Sequence, residues 1–291
     1  MLVDTHGHIN FAAFQNDAAK VLEQSLAQDI FVIMPGTKYE TSRRAVELAA
    51  TYERGVYAAV GLHPIHLSEK RRVDVLEVQS ERVEEKSWMT FETKAEEFDY
   101  PVFKELAQNE KTVAIGEVGL DYYYRPKGKA RLEAFKEKQK EVLRAQINLA
   151  LEAHLPVIFH CRVAHDDLLD MLEQEYSDSM PRGVIHSYTG NLEQTKRFLE
   201  LGFSFGFNGL IFKQVQGLNP QEVISFLPLE RIVLETDSPY LKPPQAKGER
   251  NEPLNVRYVA DEIARIKNIS LKDIASATTK NAKTLFRLNQ V

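Results

Sequence analysis

The sequence predicts an α/β protein folded as a (β/α)8 TIM barrel, and three observations support this fold class. Eight short apolar runs recur along the 291 residues. Stretches with apolar residues at spacings of three and four, typical of amphipathic helices, separate most of these runs. No GxGxxG motif follows an early strand, as it would in an open doubly wound sheet. Because barrels of this kind routinely run past about 250 residues as one unit, we expect residues 1–291 to form a single domain.

The predicted elements alternate between strand and helix along the chain. The strands are LVDTH, IFVIMPG, VYAAVGLHP, TVAIGEVGLD, LPVIFHC, GVIHSY, FSFGFNG and RIVLETDSP. The helices between them are NDAAKVLEQSLAQ, YETSRRAVELAATYE, RLEAFKEKQKEVLRAQINLALEAH, HDDLLDMLEQEY and NLEQTKRFLELG. Two further helices, NVRYVADEIARIKN and SLKDIASATTKNAKTLFRL, follow the eighth strand. We expect the last helix to pack beside the barrel.

One segment, residues 66–99, interrupts this alternation. It is rich in charged residues, has weak periodicity and contains Trp88, the only tryptophan. Because the segment follows the third strand, it should emerge at the end of the barrel where active sites form. We interpret it as a solvated insertion with a short helix, and a lid or substrate-selecting loop is the alternative.

Composition and charge narrow the class of protein further. Hydrophobic residues make up 43% and charged residues 27% of the chain, which is ordinary for a globular protein with a sizeable core. The net charge of −5 argues against a protein that coats nucleic acid through bulk charge, although a local basic rim could still bind phosphate. Cys161, the single cysteine, cannot form an intramolecular disulfide, and no stretch approaches the roughly 18 apolar residues of a membrane helix. We therefore expect a cytoplasmic monomer without membrane contact.

Histidines and acids recur at the carboxyl ends of the predicted strands, where a barrel assembles its active site. These residues are His6, His8, His63, Glu117, His160, His186 and Asp237. At the first strand Asp4, His6 and His8 alternate, so their side chains should share one face. Imidazole and carboxylate together suit zinc, manganese, iron or magnesium, and one carboxylate can bridge two ions about 3.5–4 Å apart. Six ligands of this kind are enough for two metal ions.

The remaining histidines and the cysteine fit ordinary structural roles. His66 lies in the insertion, His154 near the end of a long helix and His165 at the start of another, where capping or exposure explains each of them. Cys161 follows His160 directly. Because adjacent strand residues point to opposite faces, Cys161 should be a small buried hydrophobe and not a nucleophile.

Seven short motifs in a fixed order carry a resemblance to a known family. They are DTHGH, GLHP, AIGEVGLDYYYR, LPVIFHCR, IHSYTG, LETDSPYL and GERNEP. A single string such as HxH is a weak signal, but the ordered set is specific. Over nearly its whole length, with the insertion as the exception, the sequence resembles the TatD family of metal-dependent deoxyribonucleases in the amidohydrolase superfamily.

The resemblance implies a site with two divalent ions, such as magnesium, manganese or zinc. The ligands of the first ion would be His6, His8, Glu117 and Asp237, and those of the second would be Glu117 as a bridge, His160 and His186. Asp4 would lie outside this set and orient a ligand histidine by a hydrogen bond. His63 matches a family position near the scissile phosphate.

The resemblance also implies an activity: hydrolysis of DNA phosphodiester bonds, with single-stranded DNA shortened from its 3′ end. Asp237 and Glu117 are the candidate catalytic residues, and Asp237, a ligand with a free carboxylate oxygen, would act as general base. The loop DYYYRPKGKAR interleaves tyrosines with cations, which can stack unpaired bases and follow a phosphate backbone. The candidate substrate contacts are His63, Tyr122, Arg125 and Arg162. Tyrosines that pack the loop and cations that are simply solvated are the alternative.

The sequence departs from the family pattern at a few positions near the site. HCRVA, with Val163, stands where the family commonly has HCRDA, and HSYTG, with Ser187 and Tyr188, stands where it has HCFSG. Neither change touches a metal ligand, so we expect them to alter the shape of the pocket. In GERNEP, we interpret Arg250 and Glu252 as ion partners that fix a loop.

Three other functions remain open on sequence grounds. Many amidohydrolases that cleave cyclic amides, lactones or phosphotriesters bridge their metals with a carboxylated lysine at the fourth strand, and the presence of Glu117 there points away from them. This protein could instead keep the family's fold and site but cleave an RNA phosphodiester or an aminoacyl ester on transfer RNA, for which the 2′-hydroxyl would be the discriminating group. A noncatalytic metal-binding or nucleic-acid-binding protein should have lost ligands, whereas this chain keeps all six.

Overall fold

Eight parallel strands form one sheet, as the alternation of elements predicts. A computed structural model describes residues 1–68, 72–74, 90–93 and 95–288. The strands in chain order are β1 (Leu2–Asp4), β2 (Ile30–Pro35), β3 (Val56–Val60), β4 (Arg72–Asp74), β5 (Thr90–Glu92), β6 (Thr112–Asp121), β7 (Val157–Arg162), β8 (Gly183–Ile185), β9 (Ser204–Phe207) and β10 (Ile232–Leu234). The eight-stranded sheet has the order β1-β2-β3-β6-β7-β8-β9-β10, and β4 pairs with β5 separately. The predicted fold class, a TIM barrel like that of amidohydrolases, is confirmed.

Hydrogen bonds between the first and last strands close the barrel. The backbone N–H and the hydroxyl of Thr5 both donate to the carbonyl of Leu234, over 2.9 and 3.0 Å. Just beyond the strands, the Asp237 N–H donates to the His6 carbonyl over 2.8 Å, and Gly7 forms a parallel bridge with Ser238. The segments that carry the first and the last predicted ligands, His6 and Asp237, are therefore joined directly.

Helices separate the strands and cover the outside of the barrel. They are α1 (Ala18–Leu26), α2 (Tyr39–Ala50), α3 (Tyr100–Ala107), α4 (Lys129–Glu152), α5 (His165–Glu175), α6 (Leu192–Glu200), α7 (Pro220–Phe226), α8 (Val256–Lys267) and α9 (Leu271–Phe286). Sequence analysis predicts all of these except α3 and α7. Each of the two missed helices is short and starts with an acceptor side chain, Asp99 or Asn219, followed by a proline in the first turn, which is the usual chemistry of a helix start.

The sequence suggested that the last helix packs beside the barrel. In the structure it closes the lower end of the barrel instead. Ala282 and Phe286 of α9, with the following Leu288, belong to the same buried cluster as inward-facing strand residues such as Val3 and Tyr57. The Asn281 amide donates to the carbonyls of Leu229 and Ile232 over 2.8 Å each, at the start of β10. The helix thus covers the amino ends of the strands and leaves the opposite end for the site.

Most strands are shorter than predicted, and most of the predicted site residues lie in the turns that follow them. β1 ends at Asp4 and β8 at Ile185, so His6 and His186 project from irregular backbone. Glu117 is different, since it lies in the middle of β6, where the pairing with β7 shifts register between Ile115 and Val118. Such an irregularity re-aims side chains in strands next to active sites.

The insertion is described only in part. Its ends form an antiparallel ribbon of β4 and β5, with Val73 opposite Phe91, and the Glu96 N–H donates to the His66 carbonyl over 2.8 Å at its base. The expected short helix and Trp88 lie outside the described residues. Among the helices of the described part, none is both long and apolar enough to cross a lipid bilayer.

Candidate metal centre

The predicted ligands converge at the carboxyl end of the barrel. The Nε2 atoms of His6 and His8 lie 3.2 Å apart. His6 Nε2 lies 3.3 Å from Glu117 Oε2, and His8 Nε2 lies 3.7 Å from the same oxygen. Asp237 Oδ1 lies 3.3 Å from His8 Nε2 and 3.9 Å from His6 Nε2. Two imidazoles and two carboxylates therefore face one common point.

The second oxygen of Glu117 faces another group of histidines. Glu117 Oε1 lies 2.8 Å from His160 Nδ1, 3.5 Å from His63 Nε2 and 3.8 Å from His186 Nε2. The His186 ring stacks on the His6 ring, with centroids 3.5 Å apart, and its Nε2 also lies 4.0 Å from Asp237 Oδ1. Glu117 is thus placed between two sets of donors, as a bridging carboxylate would be.

These donors suit divalent metal ions in number, type and spacing. Three overlapping groups bring one ligand atom per residue to within 4.8 Å of one another: His6, His186 and Asp237; His6, His8 and Glu117; and His63, Glu117 and His160. Imidazole nitrogen with carboxylate oxygen is the ligand set of zinc and of the harder ions manganese and iron. The buried carboxylates in this small volume would also gain from nearby positive charge.

Hydrogen bonds at the far ring nitrogens fix how several histidines can act. His8 Nδ1 lies 3.1 Å from the Pro35 carbonyl, an obligate acceptor, so His8 donates there and its Nε2 is free to bind a metal. His63 is the opposite case, because the Ile65 N–H donates to His63 Nδ1 over 3.0 Å. A neutral His63 then carries its proton on Nε2 and faces the site as a hydrogen-bond donor.

Sequence reasoning missed two acids that contact the histidines. Asp121 Oδ2 lies 3.1 Å from His160 Nε2, and Glu235 Oε2 lies 2.9 Å from His186 Nδ1. Glu235 precedes Asp237 by two residues, and Asp121 ends the strand that carries Glu117. The period of two along each strand was the available signal, since it places these acids on the same side as a ligand.

Asp4 lies outside the ligand groups, as predicted, but it does not contact a histidine ring. Its Oδ1 accepts the backbone N–H groups of His6 and Thr236, over 3.2 and 2.9 Å, and its Oδ2 accepts the Thr236 hydroxyl over 2.5 Å. Asp4 therefore ties the backbone of the two segments that carry His6 and Asp237. Burial raises its pKa to about 7 despite these hydrogen bonds.

The acids of the centre are ionised in the metal-free protein, whereas its histidines differ from one another in pKa. Burial alone would raise the pKa of Glu117, but the charges of His63 and His6 hold it well below its ordinary value. Burial opposes protonation of His186 and His160 as well, yet Glu235 raises the pKa of His186 to about 10, and hydrogen bonds to Asp121 and Glu117 raise that of His160 to about 9. Burial and the charge of His186 lower the pKa of His6 to about 4.

The tyrosines and cations around the mouth separate into buried and accessible groups. Tyr122 is buried, its hydroxyl donates to Asp167 Oδ2 over 3.0 Å, and it is not placed at the mouth. Tyr123 is 43% exposed and stacks on the Arg162 guanidinium, 3.6 Å from the ring centroid. Arg125 is exposed on the same loop. Of the predicted substrate contacts, Tyr122 thus has a packing role, and the partly exposed Tyr123 is an aromatic side chain that the prediction did not single out.

Arg250 and Cys161 have the structural roles that the sequence predicts, whereas His66 and His165 differ from the expectation. Arg250 donates to the Ala13 carbonyl and to Asp17, and lies 3.3 Å from Glu252 Oε1, so it fixes a loop as expected. Cys161 is buried in the core outside the barrel and away from its mouth. His66 and His165, for which exposure or capping was expected, are instead buried. Neither of them belongs to a ligand group in the described part of the chain.

Four non-glycine residues near this centre have a left-handed backbone conformation. Val163, Ser187, Asp237 and Leu241 all have positive φ, between 45° and 58°, and each lies in a turn after a barrel strand. Non-glycine residues adopt this conformation at a cost, and such residues cluster at active sites. Val163 is the most unusual because it is β-branched and 54% exposed.

A parallel barrel whose carboxyl end carries a buried histidine and carboxylate cluster defines the class of metal-dependent hydrolases with an amidohydrolase fold. Comparisons with known proteins identify the family. A family model described as "TatD related DNase" matches residues 3–287. The chain therefore belongs to the TatD family of metal-dependent hydrolases.

Individual relatives agree with this assignment. "Uncharacterized metal-dependent hydrolase YabD" of Bacillus subtilis (strain 168) is 36% identical over 291 residues, which cover 99% of this chain and 100% of the relative. "3'-5' ssDNA/RNA exonuclease TatD" of Pantoea vagans (strain C9-1) is 29% identical over 292 residues, with 99% and 100% covered. Among solved structures, YjjV, a TatD homolog from Escherichia coli K12, matches with a TM-score of 0.76 and 29% identity over 98% of each chain.

Proposed function

We propose that this protein is a nuclease that hydrolyses phosphodiester bonds of single-stranded DNA from the 3′ end, with two divalent metal ions. The observation that carries the proposal is the position of Glu117, whose two carboxylate oxygens face two different groups of histidines. His6, His8, Glu117 and Asp237 would hold one ion, and Glu117, His160 and His186 the other. When bound, the ions would offset the negative charge of the phosphodiester and lower the pKa of a bound water.

Asp237 is the proposed general base. Its side chain is 16% exposed, compared with 6% for Glu117, so it is the more accessible of the two ligand acids. Burial would raise the pKa of Asp237, but its contact with His8 Nε2 and the charges of His186 and His8 bring it below its ordinary value. Asp237 is therefore ionised near neutral pH and able to accept a proton from the attacking water.

The proposed substrate contacts divide between the phosphate and the bases. His63 would donate a hydrogen bond from Nε2 to a phosphate oxygen, since its Nδ1 is already occupied by the Ile65 N–H. Arg162 and Arg125 would approach the phosphate backbone, and the exposed part of the Tyr123 ring would stack an unpaired base. This arrangement favours a single strand, because the bases of a duplex are already stacked on one another.

The choice of polymer and direction follows the relatives. The protein from Pantoea vagans is named a 3'-5' exonuclease of both single-stranded DNA and RNA, so RNA is the substrate to compare with DNA. Glu117 lies between the two groups of histidines, where many amidohydrolases that cleave amides or lactones would use a carboxylated lysine as the bridge. Small amides and lactones are therefore the weaker candidates.

The test uses a short single-stranded DNA labelled at its 5′ end. Protein stripped of metal is incubated with this DNA, then with added magnesium, manganese or zinc, and an RNA of the same sequence is assayed in parallel. Asp237→Asn should lower kcat by about 10²–10⁴-fold, the usual contribution of a general base. Asp170→Asn, on the exposed surface of α5 where Asp170 pairs with Arg197, is the matched control and should leave kcat unchanged.

A metal-dependent ladder that shortens from the 3′ end and is lost in Asp237→Asn supports the proposal. Cleavage of RNA alone would move the assignment to ribonuclease. If metal-loaded protein leaves both polymers intact, the nuclease assignment is wrong, and aminoacyl-tRNA, small amides and lactones become the next substrates to assay.

A further inference from the structure

We propose that Asp121 and Glu235 are positioning residues for the second metal ion, each holding one of the histidines that bind it. The inference rests on the proposed function only in taking His160 and His186 as ligands of that ion. Neither acid reaches the donor groups themselves. Their role is to decide which ring nitrogen of each histidine is presented to the metal.

Glu235 is built into the barrel to contact His186. It is fully buried, its Oε2 lies 2.9 Å from His186 Nδ1, and the same oxygen accepts the Ser187 N–H over 3.0 Å. The space it occupies exists because residue 206 is glycine, since a Cβ there would lie 1.9 Å from Glu235 Oε1. A proton held on Nδ1 leaves the Nε2 lone pair of His186 directed toward Glu117 and Asp237.

Asp121 contacts His160 in the same way but from the other side of the ring. Its Oδ2 lies 3.1 Å from His160 Nε2, and its Oδ1 accepts the Tyr123 N–H over 2.9 Å. A proton held on Nε2 leaves Nδ1 of His160, 2.8 Å from Glu117 Oε1, as the metal-binding atom. In both pairs a backbone N–H orients the acid, and the acid orients the histidine.

The histidines of the first ion lack such acids. His8 Nδ1 faces the neutral carbonyl of Pro35, and His6 Nδ1 is buried without a hydrogen-bond partner in the described structure. A carboxylate acceptor makes an imidazole a better metal ligand than a neutral acceptor does, and removal of such a partner typically costs about 10–100-fold in metal affinity. The two ions should therefore respond differently to loss of Asp121 or Glu235.

The test is a calorimetric titration of metal-stripped, full-length protein with Mn²⁺, in the wild type and in Glu235→Gln and Asp121→Asn. The wild type should bind two equivalents. Each variant should keep one equivalent at wild-type affinity and bind the other at least about tenfold more weakly. Asp167→Asn, which removes a carboxylate bound by Lys136, Lys140 and Tyr122, is the matched control and should bind both equivalents as the wild type does.

Two further measurements distinguish a positioning role of the acids from a general loss of folding in the variants. The visible absorption of bound Co²⁺ should change for one of the two equivalents in Glu235→Gln and Asp121→Asn, while the melting temperature of the metal-free variants shows whether they fold. Because the acids hold different histidines, either folded variant is sufficient for the test. Equal weakening of both equivalents, or unchanged binding of both, in a folded variant would overturn the inference.

Failure of this inference is distinct from failure of the proposed function. If the wild type binds two ions and the variants bind one of them more weakly, but the wild type cleaves no nucleic acid, the positioning role is supported and the nuclease assignment is wrong. If the wild type cleaves DNA and both folded variants bind Mn²⁺ as the wild type does, the nuclease assignment is supported and the positioning role is wrong.

Discussion

At the scale of single residues, Val163 combines exposure with an unfavourable backbone conformation. It has a φ of +58° and is 54% exposed, immediately after the Arg162 that stacks on Tyr123. A β-branched side chain in the left-handed region costs about 1–2 kcal/mol, and the burial of a side chain that is more than half exposed offsets little of that cost. Aspartate and asparagine adopt this conformation more easily.

Val163→Asn should therefore stabilise the protein by about 1 kcal/mol, because asparagine tolerates positive φ. The measurement is the free energy of unfolding in urea. Val163→Ala, which removes the β-branch and keeps a Cβ without the local hydrogen bonding of asparagine, is the control and should give a smaller gain. A loss of stability in Val163→Asn would show that the valine makes a stabilising contact and is not strained.

Residue types and their places along the chain were enough to predict which side chains meet at the centre. His6, His8, Glu117 and Asp237 lie at the predicted end of the barrel because parallel strands bring their carboxyl ends to one rim. The contact of Asp121 with His160 and of Glu235 with His186 could not be predicted, since it depends on side-chain geometry between strands that are distant in sequence. The hydrogen bonds that Asp4 accepts from backbone N–H groups could not be predicted for the same reason.

At the scale of elements, the loop after β6 gives its two neighbouring tyrosines opposite roles. Tyr122 packs in the core and donates to Asp167, which also pairs with Lys136 and Lys140. Tyr123 lies outside and stacks on Arg162. The sequence shows three adjacent tyrosines and predicts an aromatic loop, but it does not tell which ring faces the core, because the backbone turns directly after Asp121.

The two tyrosines should give opposite results when they are changed. Tyr122→Phe should destabilise the protein by about 1 kcal/mol, the usual value of a hydrogen bond, and leave kcat and KM for single-stranded DNA near the wild type. Tyr123→Ala should leave stability unchanged and raise KM by about fivefold or more, because base stacking is worth about 1–3 kcal/mol. Urea unfolding and steady-state kinetics measure both. Equal effects of the two changes on KM would contradict the assignment of Tyr123 as the stacking residue.

Prediction of the elements themselves succeeded where hydrophobic periodicity is strong. The long helix α4 and the buried strand β6 lie within a few residues of their predicted limits. The missed helices α3 and α7, with 8 and 7 residues, are the shortest α-helices of the described part of the chain and give the least periodicity. The position of α9 depends on which cavity its apolar side fills, and the sequence predicts an amphipathic helix without showing that Phe286 enters the barrel.

At the scale of the whole molecule, the metal centre concentrates buried charge at one end of the barrel while α9 closes the other. In the metal-free state His160 and His186 have pKa values raised to about 9 and about 10 by contacts with carboxylates. Since these values lie above the ordinary value of 6.5, the ion pairs contribute fully to stability below pH 6.5. That contribution is lost as the pH rises through about 9 to 10.

Metal binding should accordingly release protons and strengthen with pH. At pH 7 both histidines are protonated without metal, and each must give up a proton to become a ligand. Affinity for Mn²⁺ should therefore rise between pH 6.5 and the pKa values of about 9 and 10. Calorimetry in two buffers with different ionisation enthalpies counts the released protons. Binding without proton release at pH 7 would mean that the histidines are neutral before the metal arrives.

A pair of ions bridged by Glu117 can be detected by electron paramagnetic resonance of the Mn²⁺-loaded protein. Two Mn²⁺ ions bridged by one carboxylate lie about 3.5–4 Å apart and couple magnetically. At two equivalents of Mn²⁺ we predict a spectrum of a coupled pair, which Glu117→Gln converts to the six-line signal of isolated ions. A wild type that shows only the six-line signal would mean that Glu117 does not hold two ions close together.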